Sequence, residues 1–296
     1  MALKQPIGFK EQVQKLVSHG IFVEDEQKVE KILRCINYYR LTGYALQFRK
    51  SPKDSDCVDG TTFEQIFRIY QFDVELRDAL RKYLEKAEVY YKTQIACLFS
   101  CRKCGEPPYD QHYDENSFFN KKGFQEVLDN FKKEKNYYRD SLIVKHHKEK
   151  YMGKMPLWVI VELLSFSNVS KLYNCMYYSE KDEIAASVGV SRGTLENHLH
   201  CLSVLRNKCA HGARLYNTAF NPPAHLTNSF LRKNPEVKND TLFAYILILL
   251  KRLPDQESRN SLYNDLEQVI SKYEDDISME LIGFPEDYER ILKNNL

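Results

Sequence analysis

Apolar residues along the 296-residue chain recur mostly every three or four positions, and no stretch of useful length alternates apolar with polar. That is the period of helices with one buried face, so the sequence predicts an all-α fold. The clearest run starts at Phe63 and continues through 66, 67, 70, 74, 76, 80, 84, 87, 91, 95 and 98, the pattern of one long amphipathic helix. Gly60 precedes it, and Thr62 with Gln65, or Thr61 with Glu64, has the spacing of a capping box. Upstream, "FKEQVQKLVSHG" and "DEQKVEKILRCINYYRLTGYALQF" predict two further helices, broken at Gly20 and Gly43 and followed by a polar loop over 49–60.

Downstream, residues 101–117 carry two prolines and several turn formers and predict a break. The segment 118–151 resumes as charged helix. Pro156 then opens 156–177, "PLWVIVELLSFSNVSKLYNCMY", which is apolar on nearly every face and predicts a central buried helix. A short element near 180–188 leads into a helix over 193–211. After the loop "NPPAHLTNSFLRKNP", two closing helices are expected over 241–253 and 258–274.

Composition narrows the class. Forty-three basic residues stand against 41 acidic ones, a formal charge of +2, so any nucleic-acid contact has to come from a local patch. Eight cysteines read as reduced thiols rather than a disulfide framework. The start "MALKQPIGFKEQ" lacks an apolar export segment, and "LFAYILILL" at 242–250 is about half of a membrane span. The expectation is a soluble, cytoplasmic protein.

Candidate chemistry gathers in "LRNKCAHGARLYN", residues 205–217. Asn207 and His211 are four apart and share a helix face, whereas Arg206 is rotated from His211 by about 140°. Gly212 is placed to terminate the helix, which puts His211 in its last turn, where the negative end of the helix dipole suits a proton carrier. Arginine offers a planar fork of donors to a phosphate, asparagine a neutral hydrogen bond, and histidine a proton. Those parts suffice for RNA cleavage by attack of the ribose 2′-hydroxyl on its own phosphate. Taken alone, the same hexamer also fits an ordinary polar helix end.

Its companions change that reading. "YYRLTGY" (38–44), "GTTFEQIFRIYQFDVELR" (60–77), "PLWVIVELLSFSNVSKLY" (156–173), "LRNKCAHGARLYN" and "IGFPEDY" (282–288) occur together and in this order. The set resembles the Abi-like family of bacterial abortive-infection proteins, the AbiD/AbiF group, from about residue 8 to 290. The resemblance implies a HEPN-type helical bundle elaborated with N-terminal helices and a helical insertion. It divides the chain into an N-terminal segment (1–60), a helical domain (61–275) with an insertion at about 101–152, and a C-terminal tail (276–296). It implies an antiviral-defence endoribonuclease in which Arg206, Asn207 and His211 fill the Arg–polar–x3–His signature. Arg214 and Asn217 match the family's "RLWN" tail, with Tyr216 for the usual tryptophan, and Gly212 stands where relatives often carry a second histidine. It further implies a homodimer that pairs two such motifs, RNA as substrate, a small structured non-coding RNA as an alternative partner, and no cofactor or metal.

Other features compete for a role. Glu162, the one carboxylate in 156–177, needs a partner if buried, and Arg206 is the candidate. "DEIAASVGVSRGTLENHLHCL" (182–202) has helix-turn-helix character that would present Ser191, Arg192, Thr194 and Asn197 to DNA, although Glu196 is unhelpful beside phosphates. Cys97, Cys101 and Cys104 form a half-site that would need His112 or Cys57 to hold zinc; free thiols are the preferred reading. Residues 121–150 carry nine Lys/Arg against five Asp/Glu. Lys132, Lys133, Lys135, Tyr137, Arg139, Lys145, His146 and His147 are the candidate RNA contacts there. The tyrosines of "YYRLTGY" are read as helix-junction packing.

Overall fold

The computed structural model describes residue 3 and residues 5–296, and among them the regular structure is helical, with only two isolated bridges, Phe22 with Thr62 and Arg49 with Cys57. The all-α prediction therefore holds. The chain runs through α1 (Phe9–Ser18), α2 (Glu26–Cys35) and the short α3 (Tyr38–Thr42) into α4 (Phe63–Lys103). It continues through α5 (Lys121–Tyr137), α6 (Leu142–Tyr151), α7 (Leu157–Leu163), α8 (Phe166–Cys175), α9 (Tyr178–Ser187) and α10 (Arg192–Ala210). It closes with α11 (Asn228–Lys233), α12 (Leu242–Arg252), α13 (Gln256–Lys272) and α14 (Tyr288–Lys293).

The 41-residue α4, about 60 Å long, is the spine. Of the two candidate capping boxes, Thr62 and Gln65 form it: the Thr62 hydroxyl accepts from the Gln65 amide at 3.1 Å, and the Gln65 side chain accepts from the Thr62 amide at 2.9 Å. The helix buries more of its circumference than one stripe, including Ile69, Phe72, Tyr83 and Phe99, because α7, α8, α9 and α10 pack along it together with α12 and α13. In α12, every residue from Leu242 to Leu250 is buried, so this apolar run is a core helix. No helix of the described residues is long and apolar enough to cross a membrane.

The predicted central helix over 156–177 is instead two short ones. Leu164 is extended, and the Ser165 hydroxyl caps α8 by accepting from the Asn168 amide at 3.3 Å, so a capping serine divides the apolar run. Trp158 is 57% exposed, and Glu162 faces solvent. Ser141 divides 118–151 in the same way, capping α6. The α5 helix rests on α7 and α8 and buries Phe124, Val127 and Phe131.

Candidate active site

The α10 helix lies against α4 and α8, and its C-terminal turn holds the Arg–Asn–x3–His motif between them. Gly212, at φ +62°, ends the helix: its amide donates to the Cys209 carbonyl at 3.3 Å, and the Ala213 amide donates to Lys208 at 2.8 Å. That pair of bonds is a Schellman closure, which wants glycine at this position. His211 is the capping residue just before it, exposed, with its own amide bonded to the Asn207 carbonyl at 3.0 Å.

The motif's two other side chains are fixed by partners from different helices. Arg206 donates through Nε to Glu88 Oε2 at 2.9 Å, and Lys92 Nζ sits 2.9 Å from Glu88 Oε1. Glu88 and Lys92 are buried, whereas the Arg206 side chain keeps about a third of its surface. Asn207 donates through Nδ2 to the Ser167 hydroxyl at 2.9 Å, in the first turn of α8. The partner expected for Arg206 was Glu162; that residue is exposed on the outer face of α7, and the acid that holds Arg206 is Glu88. Glu88 was detectable as a carboxylate four residues after Leu84 and three before Tyr91, on the flank of the apolar stripe.

The loop after His211 is tied to α3 and α4. Arg214 Nη1 donates to the Gly43 carbonyl, and Arg40 Nη1 donates to the Gly212 carbonyl. A Cβ at Gly43 would lie 3.2 Å from the Arg40 carbonyl and 3.3 Å from Arg214 Nη1, so the close approach depends on glycine. Beneath, the fully buried Asp73 accepts from the amides of Leu215 and Tyr216, from the Tyr44 hydroxyl at 2.6 Å, and from Arg77. Burial pushes the Asp73 carboxyl up, while the Arg77 guanidinium and these donors oppose the shift. Asn217 has φ +47° and turns the chain away behind Tyr216, whose hydroxyl donates to Gln47 at 2.9 Å. Arg214 and Asn217 are thus part of the loop's construction.

The remaining candidates separate. Around the turn that joins α5 to α6, Lys133, Tyr137, Arg139, Lys145 and His146 are exposed. Lys132 is exposed but lies 3.0 Å from Asp129, and Lys135 donates to the Gly153 carbonyl at 3.3 Å. His147, expected among the RNA contacts, is buried: its Nδ1 is 2.8 Å from the Ile143 carbonyl one turn back, which turns the ring into the α6 packing. The helix-turn-helix face is occupied by the chain itself. Asn197 donates to Pro223 O at 2.9 Å and accepts from the His225 amide at 2.7 Å, Arg192 pairs with Asp182, and Thr194 meets His225. Cys104 lies 3.5 Å from His112 Nδ1, but His112 Nε2 is engaged by the Met155 carbonyl, and Cys57 belongs to the N-terminal segment. Among the described residues, no three His, Cys, Asp or Glu side chains form a group that could hold a metal ion.

A family model described as Abi-like protein matches residues 31–217. The match holds four of the five sequence blocks and leaves "IGFPEDY" outside it. No curated protein and no solved structure matches the chain. Because the matched span covers more than half of the sequence and contains α3, α4 and the whole of α10 with its closing turn, the chain belongs to the Abi-like protein family.

Proposed function

We propose that this protein is an abortive-infection endoribonuclease of the HEPN type, acting as a homodimer and cutting RNA without a metal. The observation that carries the reading is the end of α10. A solvent-facing histidine closes the helix, and one turn earlier stand an asparagine and an arginine anchored by Ser167 and Glu88. The Glu88 contact engages Nε–H of Arg206, which leaves two terminal amino groups for a phosphate. In the reaction the 2′-hydroxyl attacks the adjacent phosphorus, the bond to the 5′-oxygen breaks, and a 2′,3′-cyclic phosphate and a 5′-hydroxyl result. Arg206 stabilises charge on the non-bridging oxygens, and Asn207 orients the phosphate. Two protons must move, one from the 2′-hydroxyl and one to the 5′-oxygen, and the His211 rings of two protomers serve as base and acid.

The test is RNA cleavage by purified protein in excess chelator. His211→Ala is expected to reduce the rate by about 10²-fold or more, with Arg206→Ala similarly impaired. Cleavage that requires magnesium, or that survives His211→Ala at the full rate, contradicts the proposal. A second reading, an RNA-binding defence module acting with a small structured RNA, is favoured by the exposed basic and aromatic residues around the turn that joins α5 to α6. It predicts one discrete RNA species co-purifying from the native host at near-stoichiometric yield; protein free of nucleic acid counts against it.

A further inference from the structure

We propose that the cleft between α3 and the loop after α10 is a groove for single-stranded RNA, which grips the phosphodiester backbone and stacks a base on Tyr39. The inference rests on the ribonuclease reading and extends it to how the strand reaches His211. The cleft holds about 540 Å³ and opens to solvent, with Asn37, Tyr39, Arg40, Arg49 and Arg214 in its walls together with the Gly212 backbone. Its lining contains three arginines and no acidic residue, on a chain whose formal charge is only +2. Among the described residues, none of the three has a carboxylate at salt-bridge distance, whereas Arg34, Arg68, Arg102 and Arg192 each do. Guanidinium groups without carboxylate partners, gathered around one cleft, repel each other unless an anion joins them.

The groove is also prearranged. Arg40 and Arg214 are each fixed by a hydrogen bond to the backbone on the opposite wall, so little side-chain freedom is lost when a phosphate arrives. Among the described residues Arg49 makes no side-chain hydrogen bond, which leaves its guanidinium the most available of the three. Tyr44 of the same segment is buried and Tyr38 half-buried, as packing residues are, but the Tyr39 ring is 86% exposed at the cleft edge. An exposed aromatic beside arginines suits an unstacked base; in a duplex the bases already stack on one another. Gly212 lines the cleft immediately after His211, so a strand lying in it passes the end of α10.

The full-length protein is titrated with a short labelled 2′-O-methyl RNA strand, which lacks the attacking hydroxyl, over a range of salt. Wild type and His211→Ala are expected to bind alike, with a slope of log affinity against log salt of about −2 for three phosphate contacts. Arg49→Gln is expected to reduce that slope by about 0.7, and Tyr39→Ala to weaken binding about fivefold or more. Both variants should retain the wild-type melting temperature, because neither side chain is buried. The groove is refuted if the strand does not bind, if both variants bind as wild type does, or if adenosine monophosphate or duplex DNA binds as tightly as the strand. Binding with these dependences in a protein that cuts no RNA would retain the groove and reject the nuclease. Cutting that is indifferent to both substitutions would do the reverse.

Discussion

Glu88 stands between two cations behind α10, with Arg206 and Lys92 each 2.9 Å from one of its oxygens. Among the described residues neither cation has another carboxylate at salt-bridge distance, so removing this one leaves the buried Lys92 without a counterion and frees the partly exposed Arg206. Glu88→Ala is therefore expected to cost about 3 kcal/mol of stability, measured by chemical denaturation. RNA cleavage by the remaining folded protein should fall as well, because Arg206 loses its anchor. His198 supplies a pH test. Burial pulls its pKa down to about 4, against the bond from its ring to the His225 carbonyl, and its Nδ1 has no partner among the described residues. The unfolded ring takes a proton at its ordinary value of about 6.5. Below that value the unfolded state binds more protons, so this contribution is full above about pH 6.5 and is lost as pH falls toward 4. Denaturation midpoints should reveal a loss of about 2 kcal/mol between about pH 7 and pH 5, and His198→Leu should flatten that limb. At this scale the sequence was a partial guide. Spacing singled out Arg206, Asn207 and His211 as candidates, but Glu88 and Ser167, the partners of Arg206 and Asn207, lie 118 and 40 positions away and are set by packing.

At the scale of elements, periodicity located the long α4 and its cap, yet it merged helices that the chain keeps apart. Ser141 and Ser165 each sit inside an apolar-periodic run, and each begins a new helix by accepting from a backbone amide three residues on. The period is continuous through such a point although the backbone is not, which is why capping chemistry has to be read together with hydrophobicity. The α11 helix, inside what reads as loop, is likewise capped by Thr227. The end of α10 was legible for the same local reason: one glycine sets it. Gly212→Ala places a side chain at φ +62°, where its Cβ makes an ordinary 3.5 Å contact with Arg40 Nη1 but the backbone is disfavoured, and should cost about 1 kcal/mol. Gly212→Asn should cost less, since asparagine tolerates this conformation; thermal melts of the two variants check the order.

For the whole molecule, the fold presents one copy of the motif per chain, at a surface bounded by α3 on one side and by α4 and α8 on the other. Overall composition, with near-balanced charge, concealed the arginine cleft because its members come from residues 40, 49 and 214 and meet only after folding. If two His211 rings act together, mixed dimers of wild type and His211→Ala are impaired. Activity should then fall as the square of the wild-type fraction, whereas a linear fall would mean that each chain works alone. The most direct measurement is the chemistry of the cut itself. RNA treated with chelator-equilibrated protein should carry 2′,3′-cyclic phosphate and 5′-hydroxyl ends, and those ends should disappear with His211→Ala. Ends bearing a 5′-phosphate and a 3′-hydroxyl, or cyclic-phosphate ends that persist in His211→Ala, would contradict the account.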